Sequence, residues 1–198
     1  MSAYSWPFEV NRFEMRILPN TRVFTGPYTP TTQTLDLLGE RLIVSMDIPP
    51  TNDLIEGGRR EAFFNRLKAS ANTITLGHQV RKVPCGTLRG SPTVASAIAQ
   101  LANTAVLVAT PGQTLVAGDW AGFGGQLVQI MADTVTDGSG ALPIEFQPRA
   151  RTNIAAGAAV LWNAPTANFI LKPGTSNVPT SWSPGMIDAA TIELIEVF

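Results

Sequence analysis

Residues 41–48, RLIVSMDI, carry the pattern that decides the fold. Every second residue from Leu42 to Ile48 is apolar, and Pro49-Pro50 follows directly. This period of two is typical of a β-strand with one buried face, and proline ends a strand because it has no backbone N–H to donate. The sequence therefore predicts a strand over 41–48 with one face turned to a core.

Short apolar runs like this one recur along the chain between turn residues, since the sequence holds 17 Gly and 15 Pro. Further strands are predicted over Phe13–Ile17, Gln33–Leu37, Thr73–Leu76, Ala105–Ala109, Thr114–Ala117, Gln126–Met131, Leu142–Phe146, Ala159–Trp162, Asn168–Leu171 and Thr191–Phe198. Short strands at this spacing favour an all-β sandwich or barrel over alternating α/β units.

One segment, about 59–69 with the sequence RREAFFNRLKA, has the helical pattern. Phe63, Phe64 and Leu67 fall on one side of that helix, so this side is expected to pack on a sheet. The basic residues are expected on the opposite, solvated or subunit-facing side: Arg59, Arg60, Arg66 and Lys68. The run Pro92–Leu101 is also compatible with a second short helix.

Charge is unevenly distributed, which indicates two modules. Residues 1–89 hold eleven basic and eight acidic residues, whereas 90–198 hold three and seven. A composition shift of this kind is typical of a separate domain. We predict a β-sandwich host domain with one helix, built from 1–82 and 163–198, and a small β-barrel inserted at 83–162.

The overall composition narrows the function classes. Charged residues make up 15% of the chain, against about 25% in an average soluble protein, and the net charge is −1. The low charge predicts extensive contact with other protein, and the balance gives no basic field for nucleic acid or an anionic membrane. No apolar run reaches the ~20 residues of a membrane-spanning helix, and the opening residues lack a secretory signal pattern, which favours a cytoplasmic origin.

The titratable residues do not form a complete catalytic set. One cysteine, Cys85, and one histidine, His78, exclude an intrachain disulfide and a Cys/His zinc cluster, and they leave one possible nucleophile–base pair. Asp119 and Glu145 are a possible glycosidase-like pair. Asp133 and Asp137 lie in predicted turns, where carboxylates usually cap the backbone. No metal or cofactor is predicted.

The glycines at 122, 124 and 125 do not make a dinucleotide fingerprint, because the third glycine would fall at Leu127. A hairpin with positive φ angles is expected there instead. The aromatic residues around it, Trp120, Phe123 and Trp162, are possible contacts for a glycan or a partner protein, with core packing as the alternative.

Several segments together resemble the distal tail proteins of siphophage tail tips. These are WPFEVNRFEMRILPNTRVFTGPYTPTTQTLDLLGERLIVSMDIPP at 6–50, EAFFNRL at 61–67, PCGTLRGSP at 84–92, LVAGDWAGFGGQLVQI at 115–130, and the closing strand. The resemblance spans nearly the whole chain and rests on the order of these features.

The resemblance implies a structural, non-enzymatic virion protein of a long non-contractile tail, made in the host cytoplasm and located at the tail tip. In that family a β-sandwich closes into a hexameric ring that joins the tail tube to the tip hub. The ring anchors fibres or receptor-binding proteins and lets DNA pass through its lumen without specific binding. On this basis Arg12, Arg16, Arg22 and Arg41 are expected at the ring interface or lumen.

Three other functions stay open at this point. The chain could be a carbohydrate-binding module for host-surface glycans that uses Trp120 and Trp162. It could be another ring-forming tail protein, a tube or terminator subunit. It could also be a small hydrolase that uses Asp119 and Glu145, or Cys85.

Overall fold

A computed structural model describes residues 2–25, 31–173 and 181–197. It confirms the predicted all-β fold with one helix. The elements are β1 Ala3–Ser5, β2 Arg12–Leu18, β3 Thr21–Thr25, β4 Thr32–Asp36, β5 Arg41–Ile48, α1 Leu54–Leu67, β6 Thr73–Gly77, β7 Thr93–Val94, β8 Thr104–Val108, β9 Thr114–Leu115, β10 Trp120–Phe123, β11 Gln126–Ile130, β12 Thr134–Val135, β13 Ala141–Gln147, β14 Thr166–Leu171, β15 Trp182–Ser183, β16 Met186–Ile187 and β17 Ala190–Glu196.

The chain divides into two compact units. The first comprises Met1–Arg16, Leu42–Val80 and Thr166–Phe198, and the second comprises Ile17–Arg41 and Arg81–Pro165. The division drawn from the sequence has its boundaries at 82/83 and 162/163 and keeps the segment 17–41 in the host. In the structure that segment, which holds hairpin β3–β4, belongs with the second unit.

The first unit is built on one six-stranded sheet with the order β1-β6-β14-β17-β5-β2. Strand β5 has the predicted bounds, and its alternate side chains from Leu42 to Ile48 are fully buried. The inner face continues onto β17, where Ile192 lies opposite Met46 and Leu194 lies opposite Val44. The alternation read from the sequence is thus the inner face of a central strand.

This sheet curls strongly. Phe13 on edge strand β2 lies with its ring centroid 5.0 Å from that of His78, which directly follows β6. Four strand spacings separate β6 from β2, and these would span about 19 Å in a flat sheet. The contact therefore requires the sheet to bend round its own core.

Helix α1 starts five residues earlier than predicted and ends two residues earlier. The Asp53 side chain caps it by accepting the Ile55 N–H at 2.8 Å, and Lys68 ends it in the left-handed conformation. The prediction that Arg60 is solvated is wrong, because Arg60 is only 4% exposed and lies on the buried face with Phe64 and Leu67. The early residues include Gly57-Gly58, which hides the start of the helix from a propensity argument.

The second unit is organised around an antiparallel five-stranded sheet with the order β10-β11-β13-β8-β7. Its first hairpin is the one predicted at the glycine cluster. Gly124 and Gly125 form a two-residue turn with φ of +60° and +77°, which is the hairpin geometry that glycine favours. Within this unit the Ala164 N–H donates to the Lys82 carbonyl at 2.6 Å, so the two ends of the segment 82–164 lie together.

Two sequence predictions in this unit are wrong. Residues 159–162 make only isolated bridges, with Ala159 opposite Thr93 and Leu161 opposite Gly122, and no strand forms there. Residues 92–101 hold β7 and no helix. In both places the backbone pairs with segments that are distant in the chain, which periodicity within a single segment does not reveal. The last residue of the predicted strand 191–198 lies outside the described residues.

The two adjacent glycines of α1 provide a matched test of helix packing. A Cβ at Gly57 would lie 2.1 Å from Ile187 Cδ1, whereas a Cβ at Gly58 would have nothing within 4 Å. Gly58→Ala is expected to stabilise the protein by about 0.5–1 kcal/mol through helix propensity. Gly57→Ala should be less stable than Gly58→Ala by about 1–3 kcal/mol because of overpacking. Urea unfolding measures both, and equal stability of the two variants would contradict the close helix packing.

Candidate functional site

The aromatic residues proposed as a glycan or partner platform do not form one. Trp120 is 3% exposed and Phe123 is 2% exposed, so both belong to the core of the second unit. The Phe123 ring stands edge-on to that of Phe146, with 5.0 Å between the centroids. The expectation of accessible contacts at Trp120 and Phe123 is therefore wrong, and core packing is what the structure shows.

The Trp162 side chain is half-buried and makes two contacts within the protein. Its indole N–H donates to the Gly90 carbonyl at 2.8 Å, and the Arg89 guanidinium lies 5.0 Å from its ring centroid. The arginine thus covers one face of the indole ring. Leu161 beside it is exposed.

Asp119 is a structural carboxylate rather than a catalytic one. It is buried and accepts hydrogen bonds from three backbone N–H groups: Cys85 at 2.7 Å, Gly86 at 3.1 Å and Val116 at 2.9 Å. Glu145, its proposed partner in an acid–base pair, is exposed on β13. A glycosidase pair needs two carboxyl groups that both reach the substrate, and a buried carboxylate held by three amides does not.

Of the other two carboxylates, Asp137 caps its own turn as predicted, whereas Asp133 accepts from a segment 16 residues away. Asp133 accepts the Ala117 N–H at 2.8 Å. Asp137 accepts from the Ser139 hydroxyl at 2.7 Å and from the N–H groups of Ser139 and Ala141. These bonds, the hydroxyl first, lower the pKa of Asp137 below its ordinary value.

The proposed nucleophile and base both have structural surroundings. The Cys85 thiol is exposed, and the backbone of that residue is fixed by Asp119. The His78 ring packs against Phe13, and its Nδ1 accepts the Val80 N–H at 3.3 Å.

The four arginines expected at a ring interface or lumen are all exposed. Arg12 and Arg16 lie on the outer face of edge strand β2 on either side of Glu14, which is 3.5 Å from Arg12. Arg22 lies on β3, and Arg41 begins β5. Their assignment to an interface or a lumen stays a prediction.

Hairpin β3–β4, of which the sequence analysis predicted only the second strand, exposes several apolar side chains. Val23 is 61% exposed, Phe24 is 54% exposed and Leu35 is 49% exposed. In the register, Arg22 pairs with Leu35 and Phe24 with Gln33, so Phe24 and Leu35 share one face and Val23 lies on the other. Every described residue of both strands is exposed, so the ribbon has solvent on both faces.

The base of the hairpin is firmly attached to the second unit. Asp36 at the end of β4 forms an ion pair with Arg149 at 2.9 Å and caps the Leu38 N–H at 3.2 Å. Close by, the Glu40 carbonyl accepts from Arg151 at 2.9 Å. These bonds thus fix the base of the hairpin, while its strands carry exposed apolar side chains. The sequence RVFT at 22–25, a β-branched and aromatic run that ends at a Gly-Pro pair, is the signal from which β3 could have been predicted.

A groove of about 800 Å³ lies in the first unit along α1. Its helix wall carries Arg59, Phe63 and Arg66, and Phe8 faces them with its ring centroid 5.3 Å from that of Phe63. The floor is held by Arg60, which donates to Glu56 at 2.6 Å and to the Pro49 carbonyl.

Comparison with known proteins finds no matching family model and no matching curated protein. Within the described ranges, no three His, Cys, Asp or Glu side chains gather closely enough to hold a metal ion. In the same part of the chain, no helix has the length and apolar character to cross a membrane.

Replacing the buried carboxylate tests its structural role. Asp119→Asn keeps the shape but turns an amide NH₂ toward backbone donors, so we expect a loss of about 2–3 kcal/mol of unfolding free energy. Asp133 accepts one N–H at an exposed loop, so Asp133→Asn should lower the free energy of unfolding by less than about 1 kcal/mol. Urea unfolding followed by tryptophan fluorescence gives both values. An Asp119→Asn protein as stable as Asp133→Asn would contradict this role.

The Glu56–Arg60 pair predicts a pH dependence of stability. The hydrogen bond from Arg60, followed by that from the Thr51 hydroxyl, lowers the pKa of Glu56 from its ordinary 4.5. Because the folded-state pKa is the lower one, this stabilisation is complete above the unfolded-state pKa and is lost as the pH falls through the folded value.

The stability difference between the wild type and Glu56→Gln should therefore be largest at neutral pH and shrink below pH 4.5. Glu61→Gln on the same helix is the control, because Glu61 is exposed and makes no ion pair with any described residue. Thermal unfolding across the acid range measures the differences. A Glu56→Gln difference that is the same at neutral and acid pH would refute the assignment.

Proposed function

We propose that this chain is a structural subunit of the distal tip of a long non-contractile phage tail. In this role it assembles as a hexameric ring that connects the tail tube to the tip hub and anchors fibres or receptor-binding proteins. DNA passes through the lumen without specific binding. The resemblance of the sequence to distal tail proteins supports this choice among assembly proteins.

The observation that carries the proposal is the exposed apolar hairpin β3–β4. An isolated two-stranded ribbon is marginally stable in water, and natural proteins cover such edges or protect them with charge. Among the described residues no further strand pairs with this hairpin, and Val23, Phe24 and Leu35 are exposed on strands that carry two charged residues, Arg22 and Asp36. A ribbon of this kind is expected to be covered by a neighbouring subunit.

The low fraction of charged residues in the sequence and the two edge strands of the six-stranded sheet are consistent with the same role. A subunit in a closed ring buries two different surfaces, and permanent interfaces of this type are more apolar than free surface. The six-stranded sheet ends in β1 on one side and β2 on the other, and Arg12 and Arg16 project from β2. The carboxylates of Asp119, Asp133 and Asp137 accept structural hydrogen bonds, which is consistent with a non-enzymatic role.

The oligomeric state tests the proposal directly. We expect light scattering of the purified full chain to give the mass of a hexamer, and negative-stain images to show a six-fold ring with a central hole. The double variant Phe24→Asp with Leu35→Asp should be folded and shifted to monomer, because it places two charges on one face of the hairpin.

Val80→Asp with Val135→Asp is the matched control, since both side chains are exposed and lie outside the hairpin. Its mass should equal that of the wild type. A wild-type protein that stays monomeric at high concentration, or a hairpin variant that still forms the ring, would overturn the role given to the hairpin.

A further inference from the structure

The groove along α1 has the dimensions of a ligand site. Its volume of about 800 Å³ lies within the range of binding clefts, about 300–1,000 Å³. Three prolines, Pro7, Pro49 and Pro50, form the wall opposite the helix. Proline supplies apolar surface without an N–H donor, so this wall offers contact area and few hydrogen bonds of its own.

The helix wall has a definite pattern. Arg59, Ala62, Phe63 and Arg66 follow one another at the spacing i, i+3, i+4, i+7, which places them on one face of α1. Two cations thus stand at the ends of a stripe whose centre is apolar. Phe63 at that centre is half-buried, and its ring makes an edge contact with that of Phe8. This contact fixes the orientation of both rings in the groove.

The charges on this stripe are only partly balanced. Arg60 forms an ion pair with Glu56 and donates to the Pro49 carbonyl. Among the described residues Arg59 makes no ion pair, and the Arg66 guanidinium lies over the Tyr4 ring at 5.4 Å. Three arginines and two glutamates, Glu9 and Glu56, line the groove, which leaves one net positive charge. The groove therefore has an arginine at each end of an apolar stripe and a net positive charge.

The spacing of the two cations selects a type of ligand. Seven residues of α-helix place Arg59 and Arg66 about 10 Å apart along the axis. In a polyproline II peptide, residues i and i+3 lie on the same side and about 9 Å apart. Aromatic grooves that bind such peptides are a recurring recognition mode, because the ligand is already extended before it binds.

We infer that this groove binds an extended acidic peptide segment of a partner protein, with two carboxylates three residues apart and apolar residues between them. The carboxylates pair with Arg59 and Arg66, and the apolar residues lie over Phe63 and Phe8. The site lies within the first unit and does not depend on ring formation.

Peptide binding to the full chain tests this inference. The probe is a fluorescent synthetic peptide with a Glu-Pro-Pro-Glu centre, compared with Gln-Pro-Pro-Gln and Lys-Pro-Pro-Lys versions by fluorescence anisotropy. We expect saturable binding of the acidic peptide that weakens with salt, and at least severalfold weaker binding of the other two. Equal binding of the acidic and glutamine peptides, or no binding of the acidic one up to about millimolar concentration, would refute the inference.

Variants locate the binding to the groove. Arg59→Gln with Arg66→Gln should weaken binding of the acidic peptide about five- to tenfold, as expected for two partly exposed ion pairs. Lys82→Gln with Lys172→Gln removes the same charge at two exposed positions outside the groove and should leave binding unchanged. Ala62→Glu, at an exposed position between the two arginines, should also weaken binding without disturbing the core. Equal loss in the two double variants would show a general charge effect and overturn the site.

Discussion

The hydrogen bonds to the buried Asp119 carboxylate are the constraint on which the second unit depends. That unit has many short strands, and the backbone N–H groups of the segments between them must find acceptors away from water. One carboxylate supplies acceptors to both the 85–86 segment and the turn at Val116. Glu196 acts similarly in the first unit, where it is buried and accepts the Leu42 N–H at 3.0 Å. A chain with few charges thus places two of its carboxylates inside.

The parts of the fold that could be predicted are those whose pattern is complete within one segment. The alternation in β5 is local, and so is the glycine pair at the β10–β11 turn, where only positive φ closes a two-residue loop. Arg60 was assigned to the wrong side of α1 because its burial depends on Glu56 and the Pro49 carbonyl. The first turn of α1 was not predicted because Gly57 and Gly58 lower the helix propensity of that segment. The Asp53 cap starts the helix there nevertheless.

The candidate site was less predictable, because the exposure of a side chain depends on which distant segments of the chain pack over it. Trp120 and Phe123 lie beside glycines in a turn-rich stretch, which looks like a loop, yet the turn itself folds them into the core. Conversely, Val23 and Phe24 look like core residues and are exposed, because no other strand of the described chain covers β3. The groove combines residues 7–9 with residues from 49–66, and no single motif contains both segments.

The hydrogen bond between Ala164 and Lys82 has a consequence for the order of folding. Strands β6 and β14 pair antiparallel although Thr75 and Asn168 are 93 residues apart in the chain. If the segment 82–164 folds first, its two ends lie together and bring β6 and β14 close to each other. The loop that must close to pair these strands then contains only a few residues. By the logarithmic dependence of loop entropy on length, this lowers the closure cost of the host sheet by about 2–3 kcal/mol. Early folding of the segment 82–164 would thus promote the pairing of β6 with β14.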